Sequence, residues 1–224
     1  MFKTELHCHS NDISLCARVS TEDIVKKYTE AGYTSLVLTN HFNDYTMQAT
    51  GSKNWDEWVD KYIAAYEKLK RDAQGKLNIL LGMELRFEEN INDYLVFGVT
   101  EEFMKKYPDM LDMNPEKFHK IAQENGCLFI QAHPFRNGMT VVLPSHLDGV
   151  EVYNGHLGHD SRNDIANLWA EKFNLIKTSG TDFHYNDVPA NAGIITEDEI
   201  TDMSQLIEIL KSGKYTLVRG EYRK

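Results

Sequence analysis

Thr4-Glu5-Leu6-His7-Cys8-His9, a short strand signal running straight into two histidines, is followed by a loop and then by Ser20-Thr21-Glu22-Asp23, the opening of a helix. Ser20 can cap that helix, Asp23 stands at the capping-box position, and Gly32 ends it. Ser35-Leu36-Val37-Leu38 then reads as a second strand, and a helix rich in Trp, Tyr and Lys runs from about Trp55 to Asp72. Working outward, further strands read at Ile79-Leu80-Leu81, Tyr94-Leu95-Val96-Phe97, Leu128-Phe129-Ile130, Val150-Glu151-Val152 and Leu175-Ile176. Helices fall near Pro115 to Glu124 and Asp160 to Phe173, and a helix near Ser204 to Leu210 with a strand at Tyr215-Thr216-Leu217-Val218 closes the chain. Such alternation predicts an α/β fold of parallel strands joined by crossover helices, and seven or eight cycles fit a closed barrel better than an open doubly wound sheet.

The chain of 224 residues, 42% of them hydrophobic, is long enough to bury a large core and short enough to form one domain over residues 1–224. No run approaches the roughly 20 apolar residues that span a bilayer, and Met1-Phe2-Lys3-Thr4-Glu5 lacks the pattern of a secretion signal, so a cytoplasmic protein without a membrane partner is expected. Cys8, Cys16 and Cys127 are an odd number without CxxC spacing, which suggests reduced thiols instead of a disulfide framework or a zinc ribbon. A formal charge of −10 argues against nucleic acid as a partner, although bound divalent cations would reverse the field locally.

Metal-binding residue types recur just after these apolar strands, where a barrel places its chemistry. His7 and His9, two residues apart on extended backbone, point the same way. Thr39-Asn40-His41, Gly82-Met83-Glu84, Gln131-Ala132-His133-Pro134 and Gly180-Thr181-Asp182-Phe183-His184 follow other strands. Imidazoles mixed with carboxylates suit Zn, Fe or Mn, and a Glu able to bridge two ions suggests a multinuclear site. Arg18 and Arg136, in the loops that carry His9 and His133, are the candidates for binding substrate phosphate, with ordinary surface arginines as the equal alternative.

Other residues read more simply. His119 falls inside a helix and reads as packed or solvated, while His146, His156 and His159 lie near strand ends but in no motif position. Glu151 can orient a ligand histidine, yet plain structural placement is the slightly preferred reading for it and for Asn154. Trp55, Trp58, Tyr62 and Tyr66 recur at helical spacing, the signature of a face packed on the core.

Taken in order, HxH, the T-N-H triplet, G-x-E, A-H-P and D-x-H resemble the PHP (polymerase and histidinol phosphatase) family over nearly the whole chain. The resemblance implies a distorted (β/α)7 TIM-like barrel carrying two or three divalent ions and hydrolysing a phosphate ester. It further implies that His7, His9, Glu84 and Asp182 hold one ion, that Glu84 bridges to a second bound by His133, and that His41 and His184 serve a third. Glu84, Asp182 and His184 would then be the catalytic residues, acting with metal-activated hydroxide on a small-molecule phosphate. Two positions depart from the family pattern. Cys16 stands where many members have an Asp or His ligand, and is either a replacement or a bystander. After the fourth strand, where some members supply a His, the chain reads Phe97-Gly98-Val99-Thr100-Glu101, leaving Asp93 or Glu101 as substitutes and two ions as an alternative to three. Histidinol phosphatase is one narrower possibility; an amide or lactone hydrolase and a non-catalytic metal-binding module are the competing classes. Oligomeric state is left open by the sequence.

Overall fold

The helix predicted to open at Ser20 forms α1 (Thr21–Glu30), and Ser20 caps it by accepting a hydrogen bond from the Asp23 amide. The Asp23 carboxylate meets the Ser20 hydroxyl, 3.1 Å away. In the computed structural model, which describes residues 1–220, this helix links β1 (Phe2–Cys8) to the parallel strand β2 (Ser35–Leu38). The chain continues through β3 (His41–Phe42), α2 (Asp44–Ala49), α3 (Trp55–Ala73), β4 (Asn78–Leu85), β5 (Tyr94–Phe97), α4 (Glu101–Lys106) and α5 (Pro115–Glu124). It closes with β6 (Leu128–Gln131), β7 (Gly149–Asn154), α6 (Asn163–Phe173), β8 (Ile176–Gly180), β9 (Gly193–Thr196), α7 (Met203–Ser212) and β10 (Thr216–Val218). The expected single domain over residues 1–224 includes four positions, 221–224, that lie outside the described residues.

One sheet runs in the order β10-β9-β1-β2-β4-β5-β6-β7-β8, with β3 beside β4. Beyond β8 the chain returns to β1, where Phe183 bridges Cys8 and the amides of His9 and Phe183 bond the carbonyls of Phe183 and His7. Seven strands, β1, β2, β4, β5, β6, β7 and β8, thus form a nearly closed, distorted barrel. The expectation of an all-parallel sheet is corrected: β5 runs antiparallel to β4 and β6, β9 antiparallel to β1, and β10 antiparallel to β9. Only residues 86–93 join β4 to β5, without a helix, and so short a link returns the strand beside its neighbour in the opposite sense. β9, α2 and α4, each six residues or fewer, carry too little periodicity to stand out in the sequence.

The aromatic face of α3 packs on the barrel as its spacing predicts. Trp58 stacks on Phe42 with ring centroids 3.9 Å apart, and Tyr62 meets the same ring edge-on. Burial of each such ring stabilises the fold by about 1.5–3 kcal/mol. Tyr62 also donates its hydroxyl to the carbonyls of Asn40 and Gly82, so an outer helix ties together the backbone beside His41 and the strand carrying Glu84.

Where the barrel closes, Glu5 is fully buried and accepts from the amides of Leu6, His7 and Thr181 and from the hydroxyls of Thr181 and Tyr28. Gly180 permits this closure, because a Cβ there would lie 2.3 Å from His7 Cβ. Burial pushes the Glu5 carboxyl up to about 7, against the opposing pull of its hydrogen bonds from Thr181, His7 and Tyr28. The folded chain keeps this proton where the unfolded chain releases it, so stability from this position falls as pH rises from 4.5 to about 7. Glu5→Gln, neutral throughout, should gain on the wild type as pH rises across that window. Glu5→Ala orphans three amides and should cost about 3 kcal/mol. Urea unfolding on either side of the window measures both.

Candidate metal centre

All seven side chains singled out as ligands in the sequence meet at one mouth of the barrel. His7 and His9 leave the end of β1 on the same side, with ring centroids 5.1 Å apart. His41 follows β2, Glu84 lies near the end of β4, His133 follows β6, and Asp182 and His184 follow β8. Glu84 divides its oxygens among them. Oε1 lies 3.1 Å from His7 Nε2 and 3.3 Å from His133 Nε2, while Oε2 lies 3.4 Å from His9 Nε2 and 2.6 Å from His41 Nδ1. Asp182 Oδ1 is 3.3 Å from His7 Nε2, 3.4 Å from His9 Nε2 and 3.3 Å from His184 Nδ1. Asp182 and His133 hold left-handed backbone, φ 52° and 28°, a conformation costly for non-glycine residues that persists where surrounding structure enforces it.

Burial and charge set the protonation of the group. Glu84 and Asp182 are pushed upward by burial, but facing imidazoles, His41 and His7 foremost for Glu84 and His7 and His184 for Asp182, hold both well below the usual carboxylate range. His9 is held well below the ordinary imidazole value by burial and by His184 and His41. For the Cys16 thiol, burial acts upward, yet bonds from His184 and His41 bring it down to about 6. Cys16 Sγ lies 3.2 Å from His41 Nε2.

The donor set fits divalent cations on one decisive observation. His7 Nε2, His9 Nε2, His41 Nδ1 and both oxygens of Glu84 are buried with no hydrogen-bond partner, although they crowd within a few ångströms of one another. Buried polar atoms without a hydrogen bond cost about 1–3 kcal/mol each, the ion pairs between them offset part of that, and coordination to a shared cation would satisfy them together. Ligand-capable atoms come within 4.8 Å of each other in four overlapping groups: His7, Glu84 and His133; His7, His9 and Asp182; His9, His41 and His184; and His41, Glu84 and Asp93.

That last group answers one open position. Because β5 runs antiparallel, the residue reaching the mouth is the one before the strand, Asp93, and not the one after it. Asp93 is buried 3.9 Å from His133 Nε2 and is gripped by Arg86 through Nε and Nη2 at 2.7 and 2.8 Å. Glu101 instead starts α4, exposed and paired with Lys105.

Glu151 turns out to act on the site, correcting the preference for mere structural placement. Its Oε1 sits 2.9 Å from His7 Nδ1, and its Oε2 accepts from the His133 amide and from Asn154 Nδ2. Asn154 also bonds Asp182 Oδ2 at 3.2 Å. His159, in no motif position, brings an unpartnered Nε2 to 3.7 Å from Asp182 Oδ2 and stacks on His156. Its only sequence signal is the loop position after β7. His119 pairs with Asp148 on the flank of α5, and His146 is half-buried in a short turn of 3-10 helix.

Arg18 is exposed, and its amide donates to the His184 carbonyl. Arg136 is half-buried one turn after His133 and, after burial and other charges, helps hold His156 down to about 4. Two cavities flank the centre. One, about 760 Å³, is bordered by Cys16, His41, Tyr45, Arg86 and Ile91; the other, about 770 Å³, by Asn154, His156, Leu157, His159 and Asn191. Among the described residues no helix is long and apolar enough to cross a membrane.

A nearly closed barrel with a histidine–carboxylate cluster at its strand ends defines a metal-site barrel. The family model for the PHP domain matches residues 5–212, and the chain belongs to that family. No curated protein matches it. Among solved structures, it is similar to a two-domain Bacteroides vulgatus protein containing a predicted PHP-like metal-dependent phosphoesterase, at 16% identity and TM-score 0.67, over 97% of this chain and 64% of that one. It also resembles Endonuclease Q in complex with an abasic duplex, at 11% identity and TM-score 0.61, over 94% of this chain and 56% of that one. A third similar structure is an amidohydrolase from Chromobacterium violaceum with bound sulfate, at 13% identity and TM-score 0.56, over 97% of this chain and 98% of that one. At these identities the likeness is one of fold.

Glu151→Gln should leave the fold in place and lower divalent-metal affinity roughly 10–100-fold, because it loosens both His7 and the backbone of His133. Competition of the variant against a colorimetric chelator measures this.

Proposed function

We propose that this chain hydrolyses small-molecule phosphate esters with two or three divalent ions, drawn from Zn, Fe and Mn, held by His7, His9, His41, Glu84, His133, Asp182 and His184. The observation that carries the reading is the convergence at the barrel mouth of buried nitrogens and carboxylate oxygens that make no hydrogen bond. When bound, the ions would supply an acidified water and neutralise charge that develops on the phosphoryl oxygens.

The chain's own groups supply the rest. Glu84 turns one oxygen toward His7 and His133 and the other toward His9 and His41, the reach a bridging carboxylate needs. Asp182 is held in place by Asn154, and Glu151 fixes the His7 ring so that Nε2 faces the centre. Arg18 and Arg136 stand in the loops beside His184 and His133, to which their amides bond, and are the basic residues we assign to an anionic substrate. Arg86 joins them: its Nε and Nη2 engage Asp93 while the guanidinium borders the cavity beside His41. A formal charge of −10 favours a small phosphate over a nucleic-acid substrate.

Glu84→Ala and Asp182→Ala should each abolish turnover of p-nitrophenyl phosphate and reduce bound metal by elemental analysis, with circular dichroism unchanged. Full activity in both would sink the proposal. Parallel assays on amides, lactones and histidinol phosphate separate the competing readings. Arg86→Ala should raise KM and weaken inhibition by inorganic phosphate roughly 10-fold or more, the loss of a charge-assisted hydrogen bond. Steady-state kinetics with phosphate as inhibitor reads this.

A further inference from the structure

Three large apolar side chains that face solvent, Leu15, Tyr45 and Ile91, border one cavity, the space of about 760 Å³ beside His41. Their residues are 51%, 67% and 52% exposed, and they come from separate segments: the loop after β1, the helix α2 and the link between β4 and β5. Apolar groups scattered singly over a surface need no explanation, whereas three gathered from distant parts of the chain around one concavity mark the place of a ligand's apolar part. Phe87, buried against Tyr94 and Phe118, lines the same space. Each segment is held in place beside its apolar residue. Thr46, next to Tyr45, gives its hydroxyl to the His41 carbonyl at 3.2 Å; Ser14, next to Leu15, accepts from the His41 amide at 2.9 Å. Asn92, next to Ile91, exchanges two hydrogen bonds with Thr140, at 2.7 and 2.8 Å. A surface presented this way is preorganised for what it binds.

Charge decides what else the occupant carries. Arg86 is committed to Asp93 through two hydrogen bonds, while Asp44, Glu88 and Glu89 border the same cavity, all three exposed. One guanidinium with a carboxylate behind it, set against three more carboxylates, leaves the rim negative. The companion cavity of about 770 Å³ is the polar one: it offers Asn154, His156, His159 and Asn191, whose Oδ1 is buried without a hydrogen bond.

We infer that the substrate is a phosphate monoester of an apolar alcohol or phenol, whose ring or chain lies against Leu15, Tyr45 and Ile91 and which carries no second anionic group. This rests on the phosphoesterase reading and narrows its substrate class. His41 borders the cavity and lies 2.6 Å from Glu84 Oε2, so an ester held at the centre by its phosphoryl oxygens has its alcohol portion within reach of the apolar rim. A ring seated there leaves water, and a second phosphate or a carboxylate would instead face Asp44, Glu88 and Glu89. In the hydrolysis the oxygen of water bonds phosphorus, and the bond from phosphorus to the alcohol oxygen breaks with its electron pair. One water proton ends on that alcohol oxygen and the other passes to phosphate or solvent.

The test compares kcat/KM of the metal-loaded protein for phenethyl phosphate, ethyl phosphate and phosphoglycolate. The first two have leaving groups of similar acidity, so their ratio reads the apolar contact. Phenethyl phosphate should exceed ethyl phosphate at least about tenfold, and phosphoglycolate should fall below both. Tyr45→Ala combined with Ile91→Ala should cut the phenethyl-to-ethyl ratio about tenfold, and Leu15→Asp, at an independent exposed position, should lower it too. Glu88→Lys combined with Glu89→Lys should raise the phosphoglycolate-to-ethyl ratio. Equal efficiency on phenethyl and ethyl phosphate, a ratio unmoved in both apolar variants, or phosphoglycolate matching ethyl phosphate would overturn the inference and leave the phosphoesterase reading standing. No hydrolysis of any ester by the metal-loaded protein, p-nitrophenyl phosphate included, would overturn both.

Discussion

Five buried nitrogen and oxygen atoms that make no hydrogen bond, paired only by charge and packed within a few ångströms of each other, are the constraint around which this protein is built. A barrel could fill the same volume with leucine at a gain in stability, since unpaired polar groups in a dry interior are among the costliest features a fold can carry. Their concentration at one mouth, instead of dispersal, means the expense is offset by something the polypeptide does not itself provide. Opposite charges soften it meanwhile: Glu84 and Asp182 stay ionised because imidazoles surround them, and His7 is held well above its ordinary value, burial notwithstanding, by Asp182, Glu151 and Glu84.

Holding that arrangement requires the seam of the barrel. Glu5 gathers amides from both edges of the seam where β1 meets the segment after β8, and the same seam delivers His7, His9, Asp182 and His184. Closing the barrel and assembling the donors are therefore one event. Left-handed backbone at His133 and Asp182 is tolerated because Glu151 and Asn154 pin the neighbouring groups.

Much of this was legible in the sequence, for identifiable reasons. Candidate ligands that follow parallel strands announce themselves, because His, Glu or Asp shortly after a strand signal is a local pattern; His7, His9, His41, Glu84, His133, Asp182 and His184 all have that form. Asp93 does not, since it precedes its strand, and strand direction depends on pairing that no local pattern encodes. Glu151 reads as able to orient a ligand histidine, but the sequence does not decide it: mid-strand and flanked by valines, its value lies in a contact with His7, 144 positions away. Arg86 and His159 carried no signal beyond lying near strand ends, and β9 is only four residues long.

The hydroxyl of Tyr62 reaches from an outer helix to two carbonyls, one next to His41 and one on the strand of Glu84. It works as a calliper, setting from outside how far apart two neighbouring strand ends may drift. Adjustment of the interior therefore follows from how the buried face of α3 seats on the barrel, without touching any donor atom.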